Sequence, residues 1–421
     1  MVPTQREAAI ADFQIMRDLA RTAGDLHQEG ISLCHLAFAY YHMQSDEQLP
    51  LIEHYAQEAQ HLAQRLGDAN ILAQSLTALG SVAVNRGQVE EAERHFAASL
   101  QISRQEGYHD ALPRTLRFLS SLAYWQGHFL SAIHHAQEGA TIARDLQEGF
   151  LELHCLAFLS LACWSQGDYP QAFRITHEVL TKAQEQHNMF LLSRMQNHLG
   201  WFCRELGAVS RAAELDHEST DLGRTHGIAN VEVSALINLG WDYLALGQLT
   251  RAWSYLAPTL DRVVREAFGS HSWRWQMRSL LGLAELSYTT GDYDQALRYV
   301  EEGLKEAQRT SSQKYVALGW ALRGKIIVKH GDTDTAGTEL QRAFSLAEQL
   351  QSPSLLYPIA FDLGHWCEST GKERDAAALY GKAKATIAQM ATAVEDEALR
   401  STFLQSALVQ EIHERAARLG E

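Results

Sequence analysis

Proline, cysteine and positive charge are all in short supply in this chain. It has 7 prolines and 5 cysteines among 421 residues, and 36 basic against 51 acidic side chains. With 46% hydrophobic and 21% charged residues, it is far from the composition of a disordered chain and has ample material for a core. An odd number of scattered cysteines with no CxxC excludes a disulfide framework and reads as reduced thiols of a cytoplasmic protein. The net charge of −15 sets the surface against phosphate backbones and anionic lipid, so neither nucleic acid nor membrane is expected as a partner. No charge-free apolar run approaches the ~18 residues of a membrane span. The N-terminus, MVPTQREAAIADF, has no basic segment followed by an apolar stretch, and no signal peptide is read there.

What the chain has in abundance is self-similarity. Glycines recur at Gly87, Gly127, Gly167, Gly207, Gly247, Gly291, Gly331 and Gly371, with a step of 40 residues except for one of 44. Five residues after each stands an alanine: Ala92, Ala132, Ala172, Ala212, Ala252, Ala296, Ala336 and Ala376. Seven residues before each stands a small residue: Gly80, Ser120, Ser160, Gly200, Gly240, Ala284, Gly324 and Gly364. The residue preceding that one is Leu in every repeat but one, where it is Arg323. A late glycine ends one helix where φ must be positive. The small residue and the alanine belong where two antiparallel helices cross, since larger side chains would push them apart. The leucine and its neighbours at i+3 and i+4 form the inward stripe.

This small–glycine–alanine spacing resembles that of tetratricopeptide repeats over nearly the whole length. The repeat here is 40 residues rather than the usual 34, which fits helices longer by most of a turn each. In that form it is similar to the repeat arrays of MalT-like and other STAND-type bacterial ATPase regulators, and to those of Pins-type polarity scaffolds. The resemblance implies an all-α, right-handed α-solenoid of about nine antiparallel helix pairs, spanning 1–392, with the first helix of each pair lining a concave groove. Residues 1–27 read as a partial repeat, a second helix without its first, so the chain is expected to be a piece of something longer. Asp46 stands near the turn-glycine place of the weaker repeat at 30–68, with Pro50 in the first turn of the helix that follows. Residues 393–421 read as one amphipathic capping helix. The longer step around EAFGSHSWRWQMRS, residues 266–279, predicts a lengthened connection and a bend.

Chemistry-bearing motifs are few. GWALRGKI, residues 319–326, matches part of a phosphate-binding loop, but lacks the hydroxyl after its lysine and lies inside a helical repeat. The 20 histidines include no HExxH, and His134 and His135 point to different sides of one helix. Cys163, Cys203 and Cys367 occupy one repeat-equivalent core place. No catalytic residue, metal site or cofactor is therefore expected, and the chain is read as non-enzymatic.

The resemblance implies that ligands meet the first helices at places six and three before the small crossing residue and one, four and five after it. Those places hold Arg114, Arg117, Tyr124 and Trp125 in one repeat, and His154 and Trp164 in the next. Arg194, Asn197, Trp201 and Arg204 follow, then Trp241, and then Arg278 and Tyr288. The flanking repeats are blander there, with Gln74, Thr77, Ser81 and Val84 at one end and Leu318, Ala321 and Val328 at the other. Arginine forks grip carboxylates and tryptophan faces supply apolar area, so the cluster predicts a binding groove. The same aromatics also fit as packing between neighbouring first helices, with arginines lying over acidic neighbours. The function expected is an interaction or sensor domain of a larger signalling or transcriptional regulator. Its partners would be a protein or peptide, acidic or carboxylate-bearing, or a small effector, together with neighbouring domains. The alternative is a constitutive scaffold or a self-associating assembly protein with no effector.

Overall fold

The computed structural model describes residues 5–41, 46–108, 110–266 and 272–420. Every regular element among them is helical. A lone helix α1 (Gln5–Ala23) comes first. Nine pairs follow, each a first helix and the second helix after it. They are α2 (Leu26–Tyr41) with α3 (Leu49–Leu66), α4 (Ala69–Asn85) with α5 (Val89–Glu106), and α6 (Leu112–Trp125) with α7 (Phe129–Asp145). Next come α8 (Gly149–Gln166) with α9 (Tyr169–Glu185), α10 (Met189–Glu205) with α11 (Val209–Thr225), and α12 (Ala229–Ala245) with α13 (Leu249–Arg265). The last three are α14 (Ser272–Thr290) with α15 (Tyr293–Arg309), α16 (Gln313–Lys329) with α17 (Thr333–Leu350), and α18 (Pro353–Ser369) with α19 (Glu373–Ala393). None of these helices is long and apolar enough to cross a membrane. The lengthened connection expected before α14 falls largely on 267–271, outside the described residues.

The repeat logic is visible in the packing. All eight repeat alanines are fully buried. A Cβ on Gly80 would lie 2.4 Å from the Phe96 ring, and one on Gly240 2.4 Å from Leu256 Cγ. Each small residue therefore sets how closely a first helix approaches its second. The turn after a first helix closes in Schellman fashion: at Gly87 (φ 72), the Gln88 N–H donates to the Ala83 carbonyl at 2.9 Å.

A second turn, midway through each repeat where that turn is among the described residues, also uses the left-handed conformation, at Gly67, Gly107, Gln147, His187, Gly227, Ser311 and Gln351. Each 40-residue repeat is thus two near-equal halves, and α9 to α13 are all 17 residues long. Four of these second turns place a residue other than glycine at positive φ, each at a cost of roughly 1–2 kcal/mol.

The chain divides into two compact units. The first comprises Met1–Leu122, His134–Phe158 and Val263–Trp273. The second comprises Ala123–Ile133, Leu159–Arg262 and Arg274–Glu421. In each, distant repeats meet at the turn ends of first helices. In the first, Trp273 Nε1 donates to the Val84 carbonyl at 2.9 Å. In the second, a Cβ on Gly127 would meet Leu350 at 2.3 Å, one on Gly167 would meet Pro353 at 3.0 Å, and one on Gly207 would meet Ser406 at 3.2 Å.

The C-terminal segment corrects the expectation of one capping helix. It forms two, α20 (Glu397–Leu404) and α21 (Ala407–Gly420). α21 packs on α19, with Arg415 and Arg418 on Glu368. α20 buries Phe403 completely, close to Gly207. The break at Ser406 follows from serving two surfaces that no single straight helix could reach.

Candidate binding surface

The expected groove residues fall into two groups. Arg114, Arg117 and His154 belong to the first compact unit, and the other ten to the second.

In the second unit the arrangement is a continuous polar network across α10, α12 and α14. Asn197 Nδ2 donates to Asp216 Oδ1 at 2.5 Å, and Asn238 Nδ2 donates to the same oxygen at 3.1 Å. Arg278 donates to Asn238 Oδ1 and, at 3.3 Å, to Ser234 Oγ. Ser234 in turn donates to Asn197 Oδ1 at 3.0 Å. Arg204 Nη1 donates to Asp242 Oδ1 at 2.9 Å. Trp241 Nε1 donates to the Arg278 carbonyl at 3.3 Å. Burial pushes the Arg278 guanidinium below its usual value.

A second knot centres on Glu205. Its carboxylate accepts from Trp164 Nε1 and Trp201 Nε1, each at 2.6 Å, and from Lys314 Nζ at 3.1 Å. Burial alone would raise this carboxyl, but the Lys314 ammonium and the indole donors outweigh it and hold it below the usual range. Trp201 remains half-buried. Lys314 Nζ lies 4.6 Å from its ring centroid, and the Arg278 guanidinium 5.4 Å. The ring is thereby held between two cations.

The remaining predicted residues are core. Trp164 is 1% exposed and stacks on Phe202 with centroids 4.0 Å apart. Tyr124 and Trp125 are buried, and Trp125 stacks on Tyr315 at 5.9 Å. His154 is buried beside the Phe150 ring. Arg117 is buried with its guanidinium 3.9 Å over Phe118. Arg114 lies 3.9 Å over Phe38, and its buried Nε has no hydrogen-bond partner. Those left half-buried are Arg194, Trp201, Arg204, Trp241 and Tyr288, together with Arg114. The phosphate-loop lookalike is ordinary packing within α16: a Cβ on Gly319 would meet Leu304, and one on Gly324 would meet Leu340.

Sequence reasoning missed the acids. Asp216 stands four residues after its repeat alanine, a place held elsewhere by Phe96, Ala136, Thr176, Leu256, Val300, Leu340 and Tyr380. Asp242 stands two after its small residue, where other repeats have Val82, Leu122, Ala162, Phe202, Leu286, Ile326 and Trp366. Two carboxylates in otherwise uncharged columns of one neighbourhood were a readable signal. Burial, and then the neighbouring Asp242, push the Asp216 carboxyl well above the usual range, and burial raises Asp242 as well, so the pair holds a proton that isolated carboxyls would give up.

Two segments, residues 71–145 and 277–302, match family models described as tetratricopeptide repeat. These two segments are tetratricopeptide repeats. The chain is similar in fold to a Rap protein solved in complex with competence and sporulation factor. The two are 13% identical, with 87% of this chain and 99% of that one covered and a TM-score of 0.66. It is also similar to the Rap conjugation gene regulator of plasmid pLS20, solved in complex with the Phr* peptide. There the identity is 12%, the coverage 92% and 96%, and the TM-score 0.52. A STAND protein with a tetratricopeptide repeat sensor, from Pyrococcus horikoshii, aligns at 14% identity over 92% of this chain and 55% of its own length, with a TM-score of 0.48. No protein of curated function matches the sequence.

Proposed function

We propose that the chain is a non-catalytic binding domain of a larger regulator, taking a peptide on the first helices α10, α12 and α14. The contact residues in this reading are Arg194, Trp201, Arg204 and Trp241. The observation that carries it is the setting of Trp201. Its N–H is tied to Glu205 and its ring is flanked by Lys314 and Arg278, yet the side chain is only half-buried. An aromatic fixed in advance loses little entropy on binding, which is the property of an interface anchor. The fold likeness to a regulator solved with a peptide agrees with this reading. Affinity selection of a random heptapeptide library on the immobilised chain tests it. Enriched sequences should protect amides of α10, α12 and α14 from hydrogen exchange. Protection confined to other helices would overturn it.

A second reading rests on α1, whose Ile15 and Leu19 are 58% and 64% exposed. An apolar face of that kind suits self-association or a scaffold contact. Light scattering across a concentration series, with Leu19→Glu as control, separates the two readings.

A further inference from the structure

The first compact unit holds a cleft of its own, and nothing in the peptide reading above uses it. Its volume is about 300 Å³, at the small end of ligand sites. Phe38 from α2, Asn70 and Gln74 from α4, and Arg114 from α6 line it, with Asp110 and Glu148. These elements meet here because Asn70 and Arg114 lie in the first turns of neighbouring first helices, with Gln74 one turn after Asn70.

The polar groups are set out for a ligand rather than for one another. Gln74 Nε2 donates to Asn70 Oδ1 at 3.1 Å. That bond leaves the Asn70 amide NH₂ as donor and the Gln74 carbonyl as acceptor without a described partner. Among the described residues, no hydrogen bond to the Arg114 guanidinium is formed, and its Nε is buried. The contrast is with Arg204 and Arg278 of the second unit, which reach a carboxylate and an amide oxygen. Burial, followed by the like charge of Arg117, pushes Arg114 down to about 10, against the pull of Glu148. A cation in that position is stabilised by any anion that reaches it.

Charge and size narrow the ligand. One guanidinium stands against two carboxylates, Glu148 half-buried and Asp110 exposed at the rim, so a dianion such as phosphate is repelled. A molecule with one carboxylate, one ammonium and a modest apolar body satisfies Arg114, Asn70, Gln74 and Glu148, while His35, which also lines the cleft, is pushed toward its neutral form by burial and by Arg114 and adds no charge. We propose that this cleft binds a small zwitterion of the amino-acid class. Its carboxylate sits on Arg114 and Asn70, its ammonium lies toward Glu148 and Gln74 Oε1, and its side chain rests on Phe38 and Ile31.

Isothermal titration of the full chain with the standard L-amino acids, L-leucine as reference, tests this. Binding should appear at millimolar concentration or below. Leucinamide and N-acetyl-L-leucine should each bind roughly tenfold more weakly, as expected for loss of a charged hydrogen bond, and inorganic phosphate should give no heat. The dipeptide Ala-Leu distinguishes the sources: affinity equal to that of leucine marks a peptide terminus, and weaker affinity a free amino acid. Arg114→Gln should abolish binding. Because that residue is also packed, Glu148→Gln is the second variant, weakening L-leucine while sparing N-acetyl-L-leucine. No heat from any amino acid or from Ala-Leu, or affinities unchanged in both variants, would overturn the proposal.

Discussion

Arg204 Nη1 donates to Asp242 Oδ1 at 2.9 Å, and the accepting side chain is wholly buried. Asp216 lies beside Asp242 and is also fully buried, so a single guanidinium serves two carboxyl groups. Arg204→Met should therefore destabilise the fold by about 3–5 kcal/mol, the usual cost of stranding a buried charge. Chemical denaturation followed by far-UV circular dichroism measures it. A loss below about 1 kcal/mol would place the pair among ordinary surface contacts.

The proton held by the Asp216–Asp242 pair makes stability depend on pH. Both carboxyls are raised in the fold above the unfolded value of 3.8, so folding retains a proton that the unfolded chain gives up. That contribution is complete below the unfolded pKa and is lost as pH rises through the folded one. Asp216→Asn replaces the proton-bearing oxygen by a permanent donor. The melting-temperature difference between variant and parent should grow in favour of the variant as pH is raised from acid to neutral. Parallel curves would assign the proton elsewhere.

Glu205 joins α8, α10 and α16 through three donors. Glu205→Ala leaves the Lys314 ammonium, 8% exposed, without its anion, and a loss of about 3–5 kcal/mol is expected. Glu205→Gln retains an acceptor for one indole, and adding Lys314→Met to Glu205→Ala removes the stranded charge. Both should cost less than Glu205→Ala alone. If the double variant proves the more damaging, the ammonium serves something other than Glu205.

The two kinds of repeat glycine should respond differently to a second mutation. A Cβ on Gly240 collides with Leu256, whereas Gly247 has open space around it but a φ of 70. Gly240→Ala should cost about 1–3 kcal/mol through overpacking, and Gly247→Ala about 1–2 kcal/mol through backbone strain. Leu256→Ala should relieve the first and leave the second unchanged, as a double-mutant cycle reads out. Equal coupling to both would mean that the two glycines do not play separate roles.

The fold was legible because its signals are local. The positive φ at Gly87 through Gly371 and the burial of Ala92 through Ala376 follow from steric needs that recur every repeat. The second turn was less legible, since Gly67, Gly107 and Gly227 give way to Gln147, His187 and Ser311 at equivalent places. The binding surface was harder still. Trp164 and Trp201 hold related places in adjacent repeats, yet one is core and the other half-buried. Lys314 reaches Glu205 across 109 positions, and repeat spacing carries no record of which distant repeats touch.

The proposed peptide site lies on α10, α12 and α14, with Trp201 as its anchor. The most direct test is the affinity of one library-selected heptapeptide for the parent chain and for Trp201→Phe, measured by calorimetry. Phenylalanine keeps an aromatic ring but loses the N–H that Glu205 fixes. An anchor role for Trp201 predicts weakening of roughly tenfold or more, about 1.4 kcal/mol, the scale of an interface anchor, with helicity unchanged. Affinity equal within about twofold, well under 1 kcal/mol, would contradict it.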